Sequence, residues 1–337
     1  NLDSNGEKKM KRVAAKVVAP RQVALLEEEI PVLAPDDVLI QVSACGVCIT
    51  ELDVFEGKVQ GTPGVSFRYK DFPSDLGHEV VGVAADVGKN VEHIKVGQEI
   101  TGIVYSGCGF ATHIIEKADK LVPAPSSVPL NHALGEPIMA IMNIVRLGQP
   151  DYGDSIVVIG TGFMGLLTVA ALSQYPTKDV IVVGHHQERL DMAKQYGATM
   201  TIDGSKHDPW KMIMDQTNGK GADLVFEISG KMAGLRLGAS VCKSKQRAKL
   251  VMAGVYEQEP FNLGSYLQNR APVLIPAYPN QSPNMMDDLQ RGMWALEKGL
   301  LPISELVTHQ FSLEQVEKAL ELANTKQEGY IKGIIIP

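Results

Sequence analysis

Ser155-Ile-Val-Val-Ile-Gly160-Thr-Gly162-Phe163-Met164-Gly165-Leu-Leu-Thr-Val-Ala-Ala171 is the stretch around which the chain is organised. Its first residues form a short β-branched run, the pattern of a strand buried on both faces in a parallel sheet. Gly160-x-Gly162-x-x-Gly165 then turns the chain into an apolar helix. The first glycine permits the tight turn, the second lets a pyrophosphate approach the backbone, and the third allows close helix–strand packing. The amides and dipole at the start of that helix favour phosphate charge. Glycine-rich turns are common, but this one lies between a strand and a helix, the context the motif requires. A second strand over Asp179–Gly184 and a helix from Gln187 to Tyr196 follow. The stretch predicts a dinucleotide site with Gly160, Gly162, Phe163, Met164 and Gly165 against the cofactor.

Further β-type runs at Ala222–Ile228, Lys249–Val255 and Val273–Ala277 alternate with helical stretches. This implies a doubly wound parallel sheet with helices on both faces. Gly254, near the end of one of those runs, is a further expected cofactor contact. Arg291–Leu300 and Ser312–Ala323 return to helical period, and Gly329–Pro337 closes the chain in short strands. Upstream, a hairpin over Arg12 to Ala34, a strand over Val38–Ser43 and β-rich runs from Val80 and Gly97 make the first part mostly β.

A chain of 337 residues naturally forms two domains, each with its own core. A hydrophobic content of 45% and a charged content of 21% are those of a globular protein. The net charge of −7 argues against a nucleic-acid or anionic-membrane partner. No apolar run reaches the roughly 18 residues that span a bilayer. Asn1-Leu-Asp-Ser-Asn-Gly-Glu-Lys-Lys9 lacks the apolar core of a secretion signal, and Met10 reads as a natural start. Four cysteines, two of them in Cys45-x-x-Cys48, do not make a disulfide framework, so a cytoplasmic enzyme is expected.

The Cys45-Gly46-Val47-Cys48-Ile49-Thr50-Glu51-Leu52-Asp53 segment holds two thiols, a hydroxyl and two carboxylates. Such a pair of cysteines can be a redox dithiol, half of a four-cysteine zinc site, or the source of one thiolate ligand. No second Cys-x-x-Cys follows, which excludes the four-cysteine site and leaves the other two open.

Gly77-His78-Glu79, the Cys-Gly-Val-Cys-x-Thr segment and Gly160-x-Gly162-x-x-Gly165 together resemble the zinc-dependent medium-chain dehydrogenases/reductases, the superfamily of alcohol, sorbitol and threonine dehydrogenases. Gly97-Gln-Glu-Ile, Gly109-Phe-Ala, Ala118-Asp-Lys-Leu-Val-Pro-Ala-Pro125 and Leu306-Val-Thr-His309 match in the family's order, so the resemblance spans essentially the whole chain. It implies an α/β protein: a doubly wound Rossmann sheet inserted into a mostly-β, GroES-like catalytic domain. On that plan residues 1–137 and 277–337 form the zinc-binding catalytic domain, and 138–276 bind the dinucleotide.

Carried over by position, the resemblance makes Cys48 the zinc thiolate and His78 the imidazole. Glu136, in Glu136-Pro137, becomes the remaining ligand, as in sorbitol-dehydrogenase-like members, with Glu79 in or just behind the first shell. Thr50 falls where the family places the hydroxyl that begins a proton relay, and Asp53 where some members carry the relay's outer group. Lys332 matches a basic residue that reaches the cofactor phosphates. Two departures stand out. The four-cysteine lobe that binds a second, structural zinc is missing, so one zinc per chain is expected. Glu51 also replaces the usual aspartate.

At the end of the second strand, users of NAD place a carboxylate on the ribose hydroxyls. Here Val183 is followed by Gly184-His185-His186, with no acid. Glycine leaves room for a 2′-phosphate and histidine can donate hydrogen bonds to it, while Arg189 and Tyr196 lie along the next helix. NADP is therefore expected over NAD. The expected reaction is reversible oxidation of a secondary alcohol or polyol, with the 57–73 loop and its Arg68, Tyr69 and Lys70 lining the substrate pocket. The alternatives are a zinc-free enoyl or quinone reductase of the same fold and a non-enzymatic nucleotide-binding relative. Partners other than the small-molecule substrate are expected to be copies of the chain itself, in a homodimer or homotetramer.

Overall fold

The computed structural model describes residues 10–58, 71–104, 108–256, 264–279, 282–325, 327 and 329–337. The chain divides into two compact units. One comprises Asn1–Ile138, Leu296–Lys298 and Ile303–Pro337, and the other Met139–Ala295 and Gly299–Pro302.

In the first unit, β1 (Lys11–Ala19) and β2 (Gln22–Glu29) pair antiparallel. β3 (Asp37–Gly46) is buried along most of its length and leads into the short helix α1 (Thr50–Phe55), which buries Leu52, Val54 and Phe55. β4 (Glu79–Val87) returns antiparallel to β3, from Val38↔Val87 to Gly46↔Glu79. β5 (Glu99–Gly102), β6 (His113–Lys117) and β7 (Leu121–Pro123) follow, and the chain leaves this unit within α2 (Gly135–Gly148).

The second unit alternates strictly. β8 (Ser155–Ile159), α3 (Phe163–Leu172), β9 (Asp179–Gly184) and α4 (Gln187–Gln195) come first. β10 (Met200–Asp203), α5 (Pro209–Gln216), β11 (Leu224–Glu227) and α6 (Met232–Val241) follow. β12 (Lys249–Met252), α7 (Gly264–Arg270), β13 (Val273–Pro276) and α8 (Met285–Glu297) complete it. Every strand pairing is parallel, in the order β10-β9-β8-β11-β12-β13. That order is the doubly wound one, with its switch point beside β8. β8 and β9 are buried at every position because helices cover both faces. α5 shows how local chemistry sets a start: Asp208 accepts from Trp210 N at 3.0 Å and Lys211 N at 3.3 Å, and Pro209 occupies the first turn.

The tail, α9 (Ile303–Leu306), β14 (Val307–Ser312), α10 (Val316–Thr325) and β15 (Lys332–Ile336), belongs to the first unit. Its strands extend the sheet β14-β15-β3-β4-β5-β7, to which β6 adds against β3. Val38, Ile40, Val80, Phe110, Leu320 and Ile335 share one core there, and Val157, Ile181, Val225 and Leu250 share another in the second unit.

Two expectations shift. The return to the first unit comes at 296–303 rather than at 277, because α8 stays with the parallel sheet: Leu289 is buried, and Arg146 of α2 pairs with Asp287 at 2.8 Å and with Asp288. β10 was not among the expected strands. Its four residues carry too little pattern to stand out alone, and pairing with β9 supplies what periodicity does not. No helix among the described residues is long and apolar enough to cross a membrane.

Candidate functional site

Two strand ends in the first unit meet at the site. β3 runs out through Cys45-Gly46-Val47 and hands Cys48 to the start of α1, while β4 opens on Glu79, directly after His78. Gly46 and Glu79 are register partners, so thiol, imidazole and carboxylate converge. One ligand atom from each of Cys48, His78 and Glu79 lies within 4.8 Å of the other two. His78 and Glu79 are buried. Gly46 makes this packing feasible, since a Cβ there would lie 1.9 Å from Glu79 Oε2.

Two further residues complete the cluster. Glu51 is fully buried; its Oε2 accepts from Cys48 N at 2.8 Å and its Oε1 lies 2.6 Å from His78 Nδ1. This contact orients the ring and leaves Nε2 as the nitrogen for a ligand or metal. Burial alone would raise the Glu51 carboxyl and lower the imidazole, but each holds the other's charge: Glu51 is brought below its ordinary value and His78 well above it. Lys332 is also buried. Its Nζ donates to Val47 O at 3.0 Å and to Glu79 Oε1 at 2.7 Å, and stands 2.6 Å from Oε2. Burial would lower this ammonium, yet Glu79 beside it keeps it above its ordinary value.

Lys332 thus corrects an expectation. Its ammonium, expected to reach cofactor phosphates, is engaged inside the first unit by Glu79 and Val47, because β15 runs antiparallel to β3 with Ile334↔Gly46, and Val47 N donates to Gly333 O at 2.9 Å. That register drops Lys332 next to Cys48 and Glu79.

The donor set suits a divalent metal by its charge. With Cys48 as thiolate and His78 neutral, the forms in which they bind a metal, Cys48, Glu51 and Glu79 carry three negative charges against one ammonium, Lys332. A dication bound by thiolate, imidazole and carboxylate restores neutrality without protonating any of them, and those are donors that zinc prefers. Thiol and imidazole bind a metal only without their protons, so metal uptake and proton release are coupled.

Glu136 lies outside this group. It is buried as the second residue of α2, whose first amide, Gly135 N, donates to Thr101 Oγ1 at 2.9 Å. The helix start fixes its position, whereas Glu79 enters the group simply by following His78 into β4. Thr50 opens α1, and its Oγ1 is buried with no hydrogen-bond partner among the described residues. Asp53 follows three residues later on the same helix, half-exposed and paired with Lys58 at 3.1 Å. Arg68, Tyr69 and Lys70 lie outside the described residues.

The sequence marks Glu51 as a departure that alters the geometry behind the metal ligands, but not as the group that holds both the Cys48 amide and the His78 ring. Its spacing from Cys48, three residues into a helix start, was the available signal. Glu51→Gln is expected to weaken zinc binding by about 10- to 100-fold, because one amide oxygen cannot serve both the Cys48 amide and the His78 ring. Competition with a chelator measures the change; unaltered affinity would remove Glu51 from the site.

In the second unit the glycine-rich turn has open and closed sides. Gly160 has φ +112°, and a Cβ on Gly165 would come 2.0 Å from Gly160 O, so both glycines serve the packing of strand on helix. A Cβ on Gly162 would meet nothing within 4 Å, and Gly162 caps α3 with no side chain. The helix start is therefore approachable by a phosphate. Phe163 is buried and Met164 half-buried in the first turn of α3. His185 and His186 are exposed beyond β9; Arg189 and Tyr196 are partly buried along and just after α4.

Gly184 corrects a second expectation. A Cβ there would lie 2.6 Å from Thr161, so the room it leaves is filled by protein rather than open to a ligand. An acid also stands across the ladder: Asp203 of β10 is Gly184's register partner. Its carboxylate is already taken, by Ser205 N at 2.9 Å and by Lys206 at 2.8 Å, which hold it below the ordinary carboxylate range.

Comparison with known proteins adds two family matches. Residues 34–127 match the alcohol dehydrogenase GroES-like domain, and residues 164–290 match the zinc-binding dehydrogenase family. L-threonine 3-dehydrogenase of Bacillus subtilis (strain 168) is 28% identical, over 93% of this chain and 94% of its own. Sorbitol dehydrogenase of the same organism is 27% identical, over 94% and 95%. A putative zinc-binding dehydrogenase from Sinorhizobium meliloti 1021, solved with NADP bound, shares the fold at a TM-score of 0.84 and 22% identity, over 98% of this chain and 100% of its own.

Proposed function

The chain belongs to the zinc-type medium-chain dehydrogenase/reductase superfamily, and from that premise we propose that it is a zinc-dependent oxidoreductase. It transfers hydride between a nicotinamide cofactor and a secondary alcohol or polyol and the matching ketone. The observation that carries this is the convergence of Cys48, His78 and Glu79, a group that with Glu51 and Lys332 is two positive charges short of neutrality when its thiol is ionised and its imidazole neutral. These three residues would hold one zinc per chain. A bound zinc supplies Lewis acidity that brings the substrate hydroxyl's pKa toward neutrality. Glu51 orients the imidazole, and Lys332 offsets the charge of Glu79. Thr50 Oγ1, both donor and acceptor, takes the hydroxyl proton and passes it outward, with Asp53 as the group nearer water. A bound nicotinamide would accept the hydride, and the proton that leaves by way of Thr50 would reach solvent, which balances the oxidation.

Support for a secondary alcohol comes from the relatives' names, since threonine is oxidised at its 3-hydroxyl and sorbitol is a polyol. Support for NADP comes from the exposed His185 and His186 and from the absence of an acid at the end of β9 itself. Kinetics with a panel of polyols, secondary alcohols, threonine and the matching ketones tests the reaction, with metal content measured on the same protein. The expected result is about one zinc per chain and kcat/KM at least about tenfold higher with NADP than with NAD. A preference for NAD would overturn the cofactor choice. Reduction of enones by metal-free protein, with no alcohol turned over, would overturn the reaction.

A further inference from the structure

Glu227, the last residue of β11, is fully buried and is not itself among the expected cofactor contacts. One carboxylate oxygen accepts from Ser229 N at 3.0 Å and from Ser229 Oγ. The other accepts from Gly230 N at 3.3 Å and from the Tyr256 hydroxyl at 2.6 Å. The carbonyl oxygen of the same residue accepts from Ala253 N at 2.8 Å and Gly254 N at 3.1 Å. Glu227 therefore ties the turn after its own strand, 228–231, to the turn after β12, 253–256.

The two turns touch backbone to backbone. A Cβ on Gly254 would lie 2.5 Å from Gly230 Cα, and one on Gly230, with φ +68°, would lie 2.5 Å from Val255 O. The glycine-rich turn joins them, since a Cβ on Gly160 would lie 2.9 Å from Ser229 N. Three turns at the carboxyl ends of β8, β11 and β12 thus form one packed surface beside the switch point of the sheet, where doubly wound folds bind their ligands.

We propose that Glu227 is a positioning residue for the nicotinamide half of the dinucleotide: it fixes the turns after β11 and β12 as the platform for that half. This inference rests on the cofactor reading given above. A buried carboxylate is unfavourable unless donors match its oxygens. Here the donors come from two separate turns, so satisfying the charge sets their relative position, which an apolar side chain of similar volume does not do. β11 and β12 belong to the second mononucleotide-binding half of the sheet, whereas Gly160–Gly165 faces the pyrophosphate. Disturbing Glu227 therefore acts on one end of the cofactor.

Glu227→Gln keeps the shape but exchanges an acceptor for a donor, and Tyr256→Phe removes one hydrogen bond. Binding of NADPH, NADH, ADP-ribose and 2′-phospho-ADP-ribose to each variant and to the parent chain is measured by fluorescence and calorimetry. Glu227→Gln is expected to weaken the preferred reduced dinucleotide about tenfold while its ADP-ribose counterpart changes by less than about twofold. Tyr256→Phe shifts the same ratio by about threefold, and it decides the matter alone if the Gln variant does not fold. A purely structural role weakens both ligands alike, so equal losses overturn the proposal, as does unchanged dinucleotide binding. A parent chain that binds none of the four ligands overturns the cofactor reading and the proposal together.

Discussion

Cys48→Ala is expected to bring bound zinc from about one per chain to under about a tenth and to lower turnover on the order of 10³-fold or more. The thiolate is the softest of the three donors, and its loss leaves only His78 and Glu79, fewer than the three protein ligands a catalytic zinc requires. Cys48 is also the ligand whose removal perturbs the fold least. Glu79→Ala would strand the buried Lys332 ammonium, a change that destabilises by about 3–5 kcal/mol and obscures any effect on the metal. After Cys48→Ala, the pairs Glu51–His78 and Glu79–Lys332 still balance each other. The metal-free variant and the metal-free parent should therefore unfold within about 1 kcal/mol of one another. Elemental analysis, steady-state turnover and thermal unfolding on the same preparations check all three statements. Retained zinc and full activity in the variant would remove Cys48 from the ligand set.

Thr50→Ala is expected to lower kcat about 10²-fold while the KM for the cofactor changes by less than about twofold. The buried Oγ1 lacks a hydrogen-bond partner among the described residues, and a buried hydroxyl left in that state carries a penalty of about 1–3 kcal/mol. A substrate hydroxyl or water reaching that atom relieves the penalty, which is what a first relay group needs. Removing the hydroxyl should accordingly leave the fold as stable as before, or slightly more so. Thr50→Ser, which restores the oxygen, should recover most of the rate. A fall in stability with kcat unchanged would make Thr50 an ordinary helix-start hydroxyl and end its role in proton transfer.

The second unit was legible because its signals are local. A β-branched run, a glycine turn and an apolar helix are read within about twenty residues, and each glycine answers to a contact with its near neighbours. The same logic fails at β10, whose four residues become a strand only by pairing with β9. It fails again at Gly184, where the absence of a side chain suggested space and the structure fills that space with Thr161. Even in the legible half, Glu227 went unnoticed. Its partners Ser229 and Gly230 are adjacent, but Tyr256 lies 29 residues away on another turn.

By itself the sequence determined the chemical identities from which the candidate metal site is drawn: a thiol at Cys48, an imidazole at His78, carboxylates at Glu51, Glu79 and Glu136, and a hydroxyl at Thr50. It also determined the doubly wound class, since alternating β and α periodicity admits few other folds. Only the tertiary structure decided which of those groups meet. Glu79 joins Cys48 and His78 while Glu136 does not, and Lys332, 253 residues from Glu79, turns inward to neutralise it. Those outcomes depend on the register of β15 on β3 and of β3 on β4. Register carries a side chain to one face or the other with each residue of slip, and no spacing within a single segment encodes it.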